Sequence, residues 1–389
     1  MFVGQVFYFP DSPDPFKKVL DKKIFFITKG KNTMKTTNIN RKVLAVIGIL
    51  LTFALVLGMA ACGSNTTDTA TTAADTADAE TEAPAAEPTK DTYKFAVIKQ
   101  LDHASLDEIA NAIKAQLEAI GAEKGVTVQV EVTSGQNDQT VLKQLADQAI
   151  ADKVDAIIPI ATMAAQVTAL AAEETKTPVI FAAISDPESA ELTGIDYVTG
   201  TSDALNTAFI MDMMLAQNPD TAKVGLLYSL SETNSAKPIE EAKAYLDAKG
   251  IAYTEQTANT NDEVVAAATA LIAEGVDAIF TPTDNVIMAA ELAIYEDLAN
   301  AGIPHYAGAD SFVRNGAFAT CGVNYTDLGT RTADLAFEAA SVGMDALEDY
   351  YLMDGGIITV NTETAAALNA DYSMFGDMGE LVEVQTTEE

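Results

Sequence analysis

Residues 276–285 read VDAIFTPTDN: an apolar run that stops abruptly in Thr283, Asp284 and Asn285. An earlier stretch, VDAIIPIATMAAQ at 154–166, has the same shape. A continuous apolar run of this length marks a strand buried on both faces, the habit of parallel sheets covered by helices. Two such strands, each ending in small polar residues, imply two sheets of one kind.

The sequence around each stretch supports this. Apolar runs at 94–100, 126–132, 155–160 and 178–184 alternate with helical patterns at 105–125, 138–153 and 163–174. In the first helix Leu106, Ile109, Ile113, Leu117 and Ile120 recur at helical spacing. The pattern restarts at Lys223, with strands expected at 223–229, 251–256, 277–282 and 303–309 and helices at 236–250, 261–275 and 286–300. Asp155-Ala-Ile-Ile matches Asp277-Ala-Ile-Phe, and Thr177-Pro178 matches Ile303-Pro304. Such alternation gives parallel strands with right-handed crossovers. The fold class is therefore α/β, two Rossmann-like lobes with a hinge between them. The expected division is 93–200 plus 312–370 for one lobe, 201–311 for the other, and a frayed acidic tail over 371–389.

The N-terminal segment reads differently. KVLAVIGILLTFALVLGMAAC follows Lys35, Arg41 and Lys42 and closes on Met59-Ala60-Ala61-Cys62. A basic start, an apolar stretch and small residues before a cysteine describe a secretory signal. The ending resembles a bacterial lipobox, which implies lipidation of Cys62; a transmembrane anchor is the competing reading. Met34 is well placed to start such a signal, so 1–33 is read as an over-extended start. Residues 63–91 are Thr, Ala, Asp and Glu with almost no large apolar side chain, and are expected to form a flexible tether. Its 29 residues would reach about 30 Å r.m.s..

Composition narrows the function. Of the 389 residues, 48% are hydrophobic, and net charge is −34. Residues 1–62 hold 9 of 23 Lys+Arg and 3 of 57 Asp+Glu, so the remainder has 14 basic and 54 acidic residues, a net of −40. That balance excludes nucleic acid as a partner. Cys62 and Cys321, with His103 and His305, show no metal-ligand spacing. No nucleophile–base set or phosphate-loop motif is present, so neither an enzyme nor a cofactor is expected.

In parallel α/β sheets ligands bind beyond the carboxyl ends of the strands. The residues found there are the candidate ligand contacts: Gln100, His103, Thr162, Ala164, Gln166, Asp186, Ser231, Asn234, Ser235, Thr283, Asp284, Asn285 and Asp310. Hydroxyls and backbone N–H groups suit a carboxylate, and Asp186, Asp284 and Asp310 suit an ammonium. Each also has a plainer reading. Asp284 and Asn285 are possible helix caps, Asp186 before Pro187 a turn starter, and Ser231, Asn234 and Ser235 loop polarity. Asp284→Ala and Asp310→Ala are expected to weaken binding with the fold intact. No Arg or Lys is evident at these ends, which favours a neutral or zwitterionic ligand over a phosphate.

The segments VIKQLDHASLDEIANAIKAQL, SGQNDQTVLKQLADQAIADKVDAIIPIATMAAQ, ISDPESAEL, VTGTSD, VGLLYSLSETNS, DAIFTPTDN and GAFATCGVNYTDLGTRTADLA occur in the order of one family. Over about 93–370 the chain resembles ABC-transporter substrate-binding lipoproteins of the aromatic amino acid (tryptophan/tyrosine) type. The loop between Pro187 and Gly200 departs from the pattern, lacking a Gly-Gly run. The resemblance implies a type I periplasmic-binding-protein fold with three crossovers. It also implies a monomer that hands a small amino acid, aromatic by this resemblance, to an ABC permease. A ligand-sensing receptor of the same fold, for a nucleoside, a sugar or another small molecule, is the alternative.

Overall fold

The computed structural model describes residues 90–387. The over-extended start, the signal peptide, Cys62 and nearly all of the tether therefore lie outside the described residues.

Two sheets form. The first carries β1 (Thr92–Lys99), β2 (Thr127–Ser134), β3 (Ala156–Ile160), β4 (Val179–Phe181) and β5 (Val198–Ser202). The second carries β6 (Lys223–Tyr228), β7 (Ala252–Thr257), β8 (Ala278–Thr281), β9 (His305–Ala307) and β10 (Ala319–Gly322). Their strand orders are β2-β1-β3-β4-β5 and β7-β6-β8-β9-β10, the same winding, and all of these pairings are parallel. The two quoted stretches, β3 and β8, occupy equivalent central positions and are buried along their whole length.

Helices cover both faces of each sheet. In the first lobe they are α1 (Ala104–Lys124), α2 (Gln139–Ala151) and α3 (Thr162–Ala171). The isoleucines and leucines of α1 expected to face inward are buried. In the second lobe they are α4 (Thr207–Gln217), α5 (Thr233–Lys249), α6 (Asn261–Glu274), α7 (Asn285–Met288), α8 (Tyr295–Asn300) and α9 (Asp310–Arg314). The pattern at 286–300 suggests one helix, but the chain breaks between α7 and α8 with a 3₁₀ turn at Glu291–Ala293. The break sets Glu291 against His305 Nδ1 at 2.9 Å, fully buried, a contact a straight helix would have to reach through the core.

The expected lobe boundaries need correction. After β10 the chain crosses to the first lobe for α10 (Tyr325–Ser341) and β11 (Tyr351–Leu352), which pairs with β5. It then returns to the second sheet as β12 (Ile357–Asn361), antiparallel to β10, followed by α11 (Thr362–Leu368) and β13 (Glu380–Val384). Thus only the α10–β11 portion of 312–370 belongs with the first sheet. The acidic tail is an edge strand, held because Ile358 and Val360 beside it are fully buried and β13 supplies their outer partner. Three segments join the lobes: 203–206, 323–324 and 353–356.

Helix α10 packs along α1 at a contact that requires Gly329. A Cβ there would meet the Ile109 carbonyl oxygen and the Ala112 Cβ at 2.7 Å each, closer than any real methyl approach. This contact anchors the returning chain to the first lobe.

Candidate functional site

The carboxyl ends of both sheets face one gap. From the first lobe it is lined by His103, Ser105, Leu106, Ala161, Thr162, Ala183 and Ser185; from the second by Asn234, Thr283, Asp284, Asn285, Met288, Ala309 and Phe312; and from the hinge by Asp203 and Tyr325. The gap is drawn shut around about 20 Å³, close to one water's worth of space. A ligand the size of an amino acid enters only as the lobes part.

Hydrogen bonds across the gap hold it shut. Gln100 Nε2 donates to Glu232 Oε1 at 2.7 Å, and the Ser185 and Thr283 hydroxyls meet at 2.9 Å. Ser105 and Ser311 hydroxyls also meet. Asn285 Nδ2 donates to Glu232 Oε2 at 2.7 Å, so its carbonyl oxygen faces His103 Nε2 at 3.0 Å. His103 is therefore the donor there, with Nδ1 left as a lone-pair acceptor. Burial holds its pKa down at about 4, so the ring is neutral. At the rim Lys237 bridges to Asp186 at 2.9 Å.

Several candidates from the sequence line the gap: His103, Thr162, Asn234, Thr283, Asp284 and Asn285. Others brace it from behind. Gln100 is fully buried, with its Oε1 accepting from Met163 N at 3.0 Å. Ser235 donates to Asp284 at 2.7 Å. Asp310 opens the helix carrying Phe312 and pairs with Arg314 at 3.0 Å. Three do not line the shut gap. Ala164 points into the first lobe's core, because the turn of α3 carries it away from the gap. Gln166 donates to the Ala190 carbonyl at 3.1 Å and faces the groove between α2 and α3. Ser231 is exposed and folds back on Ser229 at 2.7 Å.

Of the acids expected to meet an ammonium, two are already satisfied. Asp186 holds Lys237 and the Ser189 amide and hydroxyl. Burial acts to raise its pKa, but these partners outweigh it and the pKa is lowered. Asp284 accepts from the Ser229, Val286 and Ile287 amides and the Ser235 hydroxyl, at 2.7–3.1 Å.

The acid that sequence reasoning omitted is Asp203. It receives the hydroxyls of Ser185 at 2.9 Å and Tyr325 at 3.1 Å and a backbone amide, and among the described residues no cation. Burial raises its pKa. The segment VTGTSD contains it, but it follows β5 on the hinge, beyond the strands whose ends attracted notice. Two non-glycine residues in the left-handed region, Ala161 (φ 76°) and Ala183 (φ 57°), lie at the gap where strands turn outward. Such strain persists where packing over-determines it, often at binding sites. Gly308 allows β9 to end against the 282–283 turn: a Cβ would meet Thr283 N at 2.5 Å.

Glu232 is the titrating element of the closure. Burial, reinforced by the charge of Asp284, lifts its pKa to about 7. This is above the ordinary glutamate value, so its contribution to stability is full below about pH 4.5 and is lost as pH rises through about 7. Relative to Glu232→Gln, the wild type should lose on the order of 2 kcal/mol between pH 5.5 and pH 8. Paired thermal melts at the two pH values check this; parallel curves for both proteins would refute it.

Two similarly wound lobes, joined by three crossovers and closing on a gap rich in polar strand ends, define a receptor that shuts on a small solute. Comparison with known proteins agrees. The profile of the ABC transporter substrate binding protein family matches residues 94–341, and the chain belongs to that family. Its fold is that of the type I periplasmic binding proteins. A tyrosine-binding protein of Clostridioides difficile (strain R20291) is 28% identical over 286 residues, 72% of this chain and 82% of that protein. A Streptococcus pneumonia ABC domain in complex with L-Trp superposes with TM-score 0.68 at 26% identity, over 75% of this chain and all of the other. A ligand-free, open substrate-binding protein with adhesive properties from Clostridium difficile gives 0.57 at 25% identity, over 76% of this chain and all of the other. Among the described residues no helix is long and apolar enough to cross a membrane.

Proposed function

We infer that this chain is the lipid-anchored, extracytoplasmic receptor of an ABC importer and that it captures an aromatic amino acid in the gap between its lobes. The observation that carries the reading is the pairing at the gap of a buried, cation-free carboxylate, Asp203, with apolar walls from Leu106, Met288, Phe312 and Tyr325. The ligand ammonium meets Asp203 and its ring meets those walls. Burying 150–250 Å² of ring is worth roughly 4–6 kcal/mol, and micromolar binding needs only about 8 kcal/mol. The relatives that bind tyrosine and L-Trp support the same ligand class.

Closure is the readable signal. Only the shut form brings both lobes against one ligand, so binding shifts the population towards it. A permease in the membrane would respond to that shape, and a monomer anchored through Cys62 would present it.

A calorimetric screen of the twenty amino acids against the mature protein tests the ligand. Saturable binding of tyrosine, tryptophan or phenylalanine is expected, with glycine and glutamate inert. Mass spectrometry of the N-terminal peptide tests the anchor: diacylglycerol on Cys62 is expected, and an unmodified thiol in membrane-extracted protein refutes it.

A further inference from the structure

We propose that the gap also takes organic ammonium ions that lack a carboxylate, the arylalkylamines, and that it discriminates against aryl carboxylates; this rests on the placement of the ligand ammonium at Asp203.

Among the described residues no lysine or arginine lines the gap. Three cations on elements that border the gap are engaged: Lys99 with Asp102 and Asp107, Lys237 with Asp186, and Arg314 with Asp310. Several donors that could receive a carboxylate are engaged in the shut form: the Ser105 hydroxyl meets Ser311, the Ser185 hydroxyl meets Thr283, and the amide of Met163, in the first turn of α3, goes to Gln100.

The acceptors are in the opposite condition. His103 Nδ1 and Asn234 Oδ1 are buried at the gap without a hydrogen-bond partner. With the ring neutral and Nε2 donating to Asn285, His103 Nδ1 is an acceptor. Asn234 uses its amide hydrogens on the Thr283 carbonyl at 2.7 Å, which leaves its oxygen to accept. Asp203 adds a buried carboxyl held by the Ser185 and Tyr325 hydroxyls. An unpaired buried acceptor costs free energy until a donor reaches it, and an ammonium brings three donors and a positive charge.

The approach has the same sign. A cavity of about 410 Å³ adjoins the gap at Thr162 and Asn234, and its walls carry Asp186, Glu188 and Glu240 against a single Lys237. A cation is drawn along this path, whereas a carboxylate meets like charge on the way in and at the end. Asn234, 8% exposed and with its oxygen unpartnered, links the two spaces.

Calorimetry with three ring-matched probes tests the proposal: tyramine, tyrosine and 3-(4-hydroxyphenyl)propionate, each titrated into the full mature protein. Tyramine is expected to bind within tenfold of tyrosine or more tightly, and the propionate at least 100-fold more weakly. Tyrosine binding with tyramine at least 100-fold weaker overturns the proposal and leaves the amino acid reading standing. Silence from all three overturns both. In Asp203→Asn, tyramine and tyrosine should lose affinity together; unchanged tyramine binding there also overturns the proposal.

Discussion

Asp203→Asn is expected to weaken ligand binding roughly 100-fold while leaving the ligand-free protein at least as stable as before. Asp203 is buried at the hinge, held by the Ser185 and Tyr325 hydroxyls and, among the described residues, faced by no cation. Burial raises its pKa, which means the folded protein bears a cost for keeping it ionised. That cost is present at neutral pH and fades as pH falls through the folded-state pKa. Asparagine keeps the shape, still accepts from one hydroxyl and removes the charge. The ligand-free protein is thereby relieved, and the ligand ammonium loses its counter-charge in a site with little water to replace it. Calorimetry and a thermal melt on one sample separate the two effects. Affinity retained within threefold would show that the ammonium sits elsewhere.

Asp284→Ala should instead act on the fold. Its carboxylate is fully buried and caps α7, with Oδ1 accepting from the Val286 and Ile287 amides and Oδ2 from the Ser229 amide and the Ser235 hydroxyl. Alanine leaves three buried amides without acceptors, at about 1–3 kcal/mol each. Two effects oppose this: removing the carboxylate also removes the burial cost that raises its own pKa despite its hydrogen bonds, and it relieves Glu232, whose pKa Asp284 helps to raise. Four lost bonds outweigh both. A destabilisation of about 3–5 kcal/mol is expected, which lowers the melting point by roughly 10 °C. Asp284→Asn, which keeps two of the acceptor bonds, should fall between. An Asp284→Ala protein that melts with the wild type would overturn this role. The sequence alone suggested weakened binding with an intact fold; the capping reading, considered beside it, accounts better for the contacts.

The asymmetry between these two aspartates shows why parts of the site were hard to read. TPTDN places an acid at a strand end, where ligands are usually met, and Asp284 stands there. Whether such an acid is available depends on what else reaches it, and Ser229 and Ser235 come from a loop and helix about fifty residues away. Asp203 showed no local sign because its significance is a missing partner, which no window of sequence displays. His103 and Asn285 were visible as strand-end polar residues, but their bond to each other spans 182 residues and both lobes.

The two wound sheets follow from local patterns along the chain. A buried strand must be apolar along its length and a covering helix must repeat its apolar residues every turn, so both patterns are written locally. The same patterns place the ligand edge, because the carboxyl ends of parallel strands open towards helix starts. Which lobe the last seventy residues complete depends on strand pairing in the folded protein. The short strands 319–322 and 357–361 are apolar enough for either sheet; parallel pairing with β9 places the first in the second sheet, and antiparallel pairing with it brings the other there too. The fold also settles which carboxylate stays uncompensated, since hydrogen-bond saturation is a property of neighbours in space rather than along the chain.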